Sequence, residues 1–356
     1  MLRLAGVASA ALALTSAAPI ERAPVVVTPP GSTTEHAVHA VQRVQVECRA
    51  DGSSARIGLL AQGVQPLRSP AVEDAVSDRR RRWIERRIDS RLAEARPRAG
   101  VRAAVPPPRE GLTTRLRAGR SDLTVRVPVH VHVVDGHGAD DEPGPGPRAV
   151  QRQIDVLNQA FAGGQSDRSA TAPFRFHLAS YERVVRTGWH RAAPDSRAER
   201  RMKLALGGGS LDELDLFVTE PQIDDGSIAL GSASFPWEGE RSPAADGVVL
   251  HSASLPGGDA RGYGRGDSAV HEVGHWLGLF HTFEGGCGSS GDMVADTPRE
   301  AAPSFGCERG RDSCPSAKGD DPVHNFMDYS LDRCMDRFTP GQVERMSRSW
   351  LAFRAR

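Results

Sequence analysis

The sequence predicts a sheet domain of the α+β class, and two adjoining patterns are the basis of this prediction. Every second residue from Leu123 to Val133 is Leu or Val, which is the period of a strand. The following segment, 148–161, places its large apolar residues at helical spacing, namely Val150, Ile154, Leu157 and Phe161. His130 and His132 lie on the other face of the predicted strand, where we expect solvent or packing contacts rather than metal binding.

The elements that follow continue this mixture of strands and helices. We expect strands at Phe174–Val185, Leu214–Thr219 and Gly247–Ser252. A short helix is expected over Ala198–Leu206, because the glycines 207–209 end it. The formal net charge is +0, so we expect no nucleic-acid partner and no membrane-surface partner. No apolar run reaches the roughly 18 residues that a transmembrane helix needs.

The N-terminus has the features of an export signal. Arg3 precedes the apolar stretch Leu4–Thr15, and the small residues 16–18 suit a signal peptidase. We therefore predict a signal peptide over residues 1–18 and a secreted, extracellular protein; a short buried helix is the alternative. The chain has 5 cysteines, which agrees with the oxidising compartment that export implies.

Residues 19–115 are predicted to be a largely irregular prosegment, and residues 116–356 the folded domain. Proline runs at 29–30 and 106–108 interrupt regular structure, and the arginine run 79–82 is easily cut by proteases. The alternative for this arginine-rich stretch is a charged helix, because four apolar residues recur at helical spacing: Trp83, Ile84, Ile88 and Leu92.

The stretch from His271 to His281, HEVGHWLGLFH, has the spacing of a catalytic metal site. On a helix, His271 and His275 share one face and can reach one zinc ion. Gly278 permits a turn that brings in His281 as the third ligand, so the fourth position stays open for water. Glu272 lies beside the first ligand, where it can act as the general base. A bare HExxH also occurs by chance, whereas the longer spacing makes chance a poor explanation.

The segment 325–330, NFMDYS, has the form of a Met-turn, which places Met327 beneath the metal. Tyr329 could then donate a hydrogen bond to the oxyanion of a tetrahedral intermediate. Ordinary core packing is the alternative for both side chains, and the neighbouring histidine motif favours the Met-turn.

With these motifs the chain resembles the pappalysin family of metzincin metalloendopeptidases, and within it the cytophagalysin and ulilysin type. The resemblance rests on 271–281, on Gly291-Asp292, on Asp296–Pro298, on 325–330 and on Phe338–Gln342 before a final helix. It covers about residues 122–356.

The resemblance implies a metzincin-like zinc protease fold. An upper twisted sheet would carry the active-site helix, and a lower, irregular, disulfide-held subdomain would carry the Met-turn and the C-terminal helix. Zinc would be bound by the three histidines, with Glu272 as general base and Tyr329 assisting. In this family the cysteines pair first with third and second with fourth, which here gives Cys287–Cys314 and Cys307–Cys334.

The loop 287–297 is a candidate calcium site. Its oxygen-bearing side chains Asp292, Asp296 and Thr297 suit Ca²⁺, and ulilysin-like enzymes bind calcium here. An ordinary polar loop with Asx-turns is the alternative.

Cys48 is the odd cysteine after the other four pair, and it lies in the predicted prosegment. A thiolate is a good zinc ligand, and metzincin prosegments often block the metal in this way. We expect Cys48 to cap the zinc in the zymogen; a free or intermolecular thiol is the alternative.

Arg333 is a departure from the family pattern. Ulilysin-like enzymes that cut before Arg or Lys carry an acidic residue just before the final cysteine, at the floor of the S1′ pocket. Here that residue is Arg333, before Cys334. A guanidinium repels basic side chains, so we expect acidic or neutral P1′ residues. An inward Asp332, or an Arg333 that points to solvent, would undo this expectation.

Together these features predict a secreted zinc endopeptidase that is made as a zymogen and is monomeric. Protein or peptide substrates would pair with the strand Gly247–Ser252. Another metzincin family, such as the astacins, is one alternative, and the cysteine spacing argues against it. An inactive secreted binding protein on the same fold is the other, and the intact Glu272 argues against it.

Overall fold

Six strands of the described residues form one mixed sheet. They are β1 (Ala55–Leu59), β2 (Val125–Asp135), β3 (Phe174–Val185), β4 (Leu214–Thr219), β5 (Ile228–Ala233) and β6 (Val248–His251). Their order across the sheet is β1-β5-β6-β4-β2-β3. The pairs β2–β3, β2–β4 and β4–β6 are parallel, whereas β5–β6 and β1–β5 are antiparallel.

The described residues also form helices, from residue 78 to the C-terminal part of the chain. They are α1 (Asp78–Glu94), α2 (Pro147–Phe161), α3 (Thr187–His190), α4 (Arg197–Leu206), α5 (Pro236–Gly239), α6 (Asp267–Trp276) and α7 (Pro340–Ser349). A π-helical turn, Trp350–Arg354, continues α7. Within the part of the chain that the structure describes, no helix is long and apolar enough to cross a membrane.

The computed structural model describes residues 76–94, 124–136, 144–223, 228–288 and 290–355, together with the backbone of 55–59. These ranges belong to one compact unit, Gln42–Arg356. The predicted signal peptide, 1–18, and the predicted zymogen cysteine, Cys48, lie outside the described residues.

The main apolar core lies between the sheet and helices α2, α6 and α7. The alternating valines of β2 are buried in it, and they meet the apolar stripe of α2 from Val150 to Phe161. Pro147 begins α2, where its missing N–H costs nothing. Thr339 and Gln342 form a capping box at the start of α7. This packing seats α6 on the sheet, and the predicted α+β class is confirmed.

The region between α6 and α7 contains turns and one isolated bridge, between Asn325 and Arg337, but no described helix or named strand. Two disulfide bonds join its turns, Cys287–Cys314 and Cys307–Cys334. This is the pairing that the family resemblance implied. Covalent links replace regular backbone ladders here as the means of holding a long loop.

The predicted strand Gly247–Ser252 lies inside the sheet with a partner on both sides, so the expectation that substrate pairs with it is wrong. Its structural counterpart β6 pairs with β4 on one side and with β5 on the other. The sequence did not indicate β5, because Ile228–Ala233 (IALGSA) consists mostly of small residues without alternation. The far side of β5 pairs with β1, which comes from the predicted prosegment.

The predicted prosegment is not irregular throughout, because α1 is a helix of 17 residues. Ile84 and Ile88 are fully buried, and they form a second apolar cluster with Trp237, Phe280 and Phe353. The charged-helix alternative therefore describes this stretch. Its two isoleucines pack against an apolar surface of the folded domain. A helix whose other faces are mostly charged needs such a contact to be stable.

Candidate functional site

The histidine motif lies on α6 and on the turn that follows it. Every residue of α6 is buried. Gly266, with φ 97°, precedes the helix, and Gly278, with φ 100°, turns the chain towards His281. Both values are in the left-handed region that favours glycine. The expected turn at Gly278 thus brings His281 back to the helix.

The three histidine side chains converge through their Nε2 atoms. The Nε2 of His275 is 2.9 Å from that of His271 and 2.9 Å from that of His281, and the third distance is 3.2 Å. Within the described ranges, no other group of three or more His, Cys, Asp or Glu residues is close enough to share a metal ion.

Two backbone carbonyls fix which ring nitrogen of the helix histidines faces inward. His271 Nδ1 donates to Phe326 O at 2.7 Å, and His275 Nδ1 donates to Leu279 O at 2.7 Å. Since Nδ1 carries the hydrogen in each ring, the facing Nε2 atoms are lone-pair acceptors. Lone pairs that face one another repel, and a cation bound between them removes this repulsion. These residues therefore fit a bound metal.

Burial keeps all three imidazoles neutral, which is the form that binds metals. It lowers the pKa of His271 to about 4 and lowers the pKa values of His275 and His281 well below 6.5. Phe283 stacks on His281, with ring centroids 4.7 Å apart, and shields this face of the cluster.

Glu272 is fully buried beside the first histidine, and neither of its carboxylate oxygens has a hydrogen-bond partner among the described residues. Burial raises its pKa well above 4.5. Its side chain lies against Gly231 of β5: a Cβ at Gly231 would be 2.6 Å from Glu272 Cγ. Gly231 was not predictable from the sequence, because a glycine in an unpredicted strand carries no local signal of this contact.

The predicted Met-turn lies under α6. Met327 is fully buried, and a Cβ at Gly274 would be 2.5 Å from its Sδ. The hydroxyl of Tyr329 is 3.2 Å from His281 Nε2. Tyr263, another residue that the sequence did not single out, donates to Tyr329 O at 2.9 Å and so holds this turn.

Residues of the loop predicted to bind calcium line a cavity of about 560 Å³. Asp292 and Thr297 are buried and line it, and Asp292 Oδ2 has no hydrogen-bond partner among the described residues. Burial raises the pKa of Asp292 to about 7. Chemically, the two side chains fit a cation that prefers oxygen ligands.

Asp296 does not fit the calcium site predicted for it. Its side chain is exposed, and both carboxylate oxygens already accept hydrogen bonds at the start of α7, from Thr339 Oγ1 at 2.7 Å and from Gly341 N at 2.8 Å. A carboxylate near a helix N-terminus is stabilised there, so Asp296 anchors α7 instead.

Arg333 does not form the floor of a buried pocket, because it is exposed. The neighbouring Asp332 is 3% exposed, and its Oδ2 accepts a hydrogen bond from Arg265 N at 2.7 Å. The acidic side chain therefore faces the interior, and the premise for disfavoured basic P1′ residues is wrong. The backbone N–H of Arg265 stabilises the inward carboxylate.

Comparisons with known proteins place these features in one family. The peptidase M43 family model, described as pregnancy-associated plasma protein-A, matches residues 214–351. An extracellular metalloprotease of Verticillium alfalfae is 44% identical over 243 residues, which is 65% of this chain and 78% of the relative. Extracellular metalloprotease 1 of Coccidioides posadasii is 39% identical over 277 residues, or 74% of this chain and 94% of the relative.

Solved structures agree with this placement. Mature mirolysin of Tannerella forsythia, in complex with a cleaved peptide, is 30% identical with a TM-score of 0.53, and the match covers 63% of this chain and 90% of that one. A promirolysin mutant is 28% identical with a TM-score of 0.54, over 68% of this chain and 86% of its own.

Proposed function

The chain belongs to the pappalysin family of metzincin metallopeptidases, and from this premise we propose that it is a secreted zinc endopeptidase made as an inactive precursor. The observation that carries the proposal is the set of three facing Nε2 atoms, 2.9–3.2 Å apart, with the unpartnered carboxylate of Glu272 beside them. Family membership sets aside the astacin-like alternative.

His271, His275 and His281 are proposed to hold the zinc ion. Three neutral nitrogen ligands leave one position open, which is the arrangement of catalytic rather than structural zinc. When bound, zinc would act as a Lewis acid that polarises the scissile carbonyl and lowers the pKa of the attacking water to about 7.

Glu272 is proposed to move the proton. Its two carboxylate oxygens have no hydrogen-bond partner among the described residues, so they can accept from the attacking water. The same carboxyl group then donates that proton to the leaving amine. The backbone at Gly231 lies against the Glu272 side chain and so limits the positions that the carboxylate can take.

Tyr329 is proposed to donate a hydrogen bond to the developing oxyanion. Its hydroxyl lies 3.2 Å from His281 Nε2, beside one of the atoms proposed to bind zinc. Tyr263 fixes the Tyr329 backbone, and Met327 packs against α6 from below. These contacts preorganise the donor before substrate arrives.

Substrate is proposed to pair with the outer side of β5 by strand addition. In the structure this side pairs with β1, from Ala55 with Ala233 to Leu59 with Ile228. Because β1 lies in the predicted prosegment, the precursor would cover the strand that a substrate needs. Cys48 precedes β1 by seven residues, and its proposed contact with zinc would complete the block.

Two further proposals concern the region between α6 and α7. Asp292 and Thr297 are proposed to bind Ca²⁺ in their cavity, which would hold the loop between the disulfides. The inward Asp332 makes basic P1′ residues the expected preference, since a buried carboxylate attracts a guanidinium or ammonium group.

A peptide-library profile of the activated enzyme, with and without a zinc chelator, tests this function. We expect cleavage within peptides that stops with the chelator and returns with zinc, and cleavage sites enriched in Arg or Lys at P1′. Asp332→Asn should weaken that enrichment, while the exposed Arg333→Ala serves as the matched control. Peptides that bind but are never cut would indicate the inactive binding protein instead.

A further inference from the structure

Two arginines near the C-terminus donate hydrogen bonds to the backbone between the second and third histidines. Helix α6 ends at Trp276, and the chain turns at Gly278 before it reaches His281. The last carbonyls of a helix have no partner within the helix. Here Trp276 O accepts from Arg354 Nε at 2.8 Å, and Gly278 O accepts from Arg345 Nε at 2.9 Å.

Arg354 is fully buried, although it is the third residue from the C-terminus. Its Nη1 donates to Asp246 Oδ2 at 2.6 Å and to Leu211 O at 3.1 Å, and its Nη2 donates to Asp246 Oδ1 at 3.2 Å. The indole Nε1 of Trp276 donates to the same carboxylate at 3.0 Å. The guanidinium also lies 3.7 Å from the centre of the Trp276 ring. The last residue of α6 is thus held by its main chain and by its side chain.

Stability alone explains this buried ion pair poorly. Asp246 is 3% exposed and Arg354 is 0% exposed, so both charges are taken out of water. Removing both ions from water is costly, and apolar replacements of such pairs are often neutral or stabilising. An apolar pair cannot, however, supply directed hydrogen bonds that fix the end of a helix.

The position of this helix end matters for the histidines. Leu279 O, inside the held turn, accepts from His275 Nδ1 at 2.7 Å and sets the orientation of that ring. His281 follows two residues later. A shift of the turn would therefore move both His275 and His281.

We propose that Arg354, oriented by Asp246, is a positioning residue of the metal centre. It fixes the end of α6 and the turn to His281, and so keeps the second and third histidines in the geometry that binds zinc. The inference rests on the proposed zinc site but assigns a role that no residue of the histidine motif carries. Outer partners of metal ligands typically contribute about 10–100-fold in metal affinity or activity.

Two variants separate positioning from folding. Arg354→Lys keeps a positive charge beside Asp246 but cannot form the fork to the carboxylate and the carbonyls. The double variant Arg354→Met with Asp246→Asn removes both buried charges and retains an acceptor for the Trp276 indole. Arg348→Met is the matched control: Arg348 lies in α7, and its described ion pairs join only acidic residues of α1.

The readouts are the zinc dissociation constant from chelator competition, the visible spectrum of the cobalt(II) enzyme, and the thermal midpoint. We expect both test variants to bind zinc about 10–100-fold more weakly and to change the cobalt spectrum, with the double variant melting near the parent. The control should differ from the parent by less than about twofold. Parent-like zinc affinity in either test variant, or an equal loss in the control, overturns the proposal. A parent enzyme that binds no zinc refutes the proposed function itself.

Discussion

Replacing Gly231 with alanine tests how closely β5 confines the carboxylate of Glu272. Gly231 lies inside β5, paired with Leu250 of β6 and with Ile57 of β1. Its φ is outside the left-handed region, so alanine fits the backbone there. The nearest side chain to the methyl group is that of Glu272.

The size of the effect follows from the distances. The added Cβ would lie 2.6 Å from Glu272 Cγ and 2.8 Å from its Oε1, whereas ordinary contact begins at 3.4 Å. The Glu272 side chain must move by the difference, about 0.8 Å at Cγ and about 0.6 Å at Oε1. A misplacement of about 1 Å costs on the order of 10²-fold in rate, and overpacking costs about 1–3 kcal/mol of stability. We expect kcat to fall by about 10–100-fold.

The assay is cleavage of a quenched fluorescent peptide, together with metal analysis and a thermal melt. Zinc content should stay at the parent level, because the three atoms nearest to the new methyl group all belong to Glu272, which is not a proposed zinc ligand. Gly188→Ala is the matched control, since a Cβ there meets nothing within 4 Å. A Gly231→Ala enzyme with the parent kcat and full zinc would refute the assignment of Gly231 as the wall behind Glu272.

Two further predictions concern the precursor and the lower region. The Cys48→Ala precursor should activate faster than the parent, because the proposed thiolate ligand is lost; unchanged latency in a time course would rule out the cysteine switch. Chelation of calcium at fixed zinc should lower the thermal midpoint and promote self-cleavage. Asp292→Asn should abolish this response to calcium, whereas Asp296→Asn, which alters the start of α7 instead, should retain it. Indifference to calcium across a titration would remove Asp292 and Thr297 from the site.

Regular periodicity explains which parts of the fold were predictable. The strands β2, β3 and β4 and the helix α2 were predicted to within two residues, because their apolar residues follow a period of two or of 3.6. β5 has no such pattern, since its small residues serve close packing against α6 rather than a half-buried face. The helical state of α1 depends on the apolar surface it meets, which lies far away in sequence.

The site divides in the same way. The spacing of the histidine motif fixed which residues face one another, because helix geometry converts four residues of separation into one face. The direction of a loop side chain has no comparable periodicity. Asp296, Asp332 and Arg333 were therefore placed wrongly or left open, and the structure assigns them by their hydrogen bonds and exposure. The contacts of Arg354 join segments more than a hundred residues apart, which a single sequence does not reveal.

In the proposed mechanism, three histidines hold one zinc ion and Glu272 transfers the proton beside it. The most direct measurement compares zinc content and peptide cleavage in the parent, Glu272→Ala and His281→Ala enzymes, each passed through the same dialysis. We predict one zinc and full activity in the parent, one zinc and loss of nearly all activity in Glu272→Ala, and loss of both in His281→Ala. Full activity in Glu272→Ala would show that Glu272 is not the general base, and retained stoichiometric zinc in His281→Ala would show that His281 is not a required ligand.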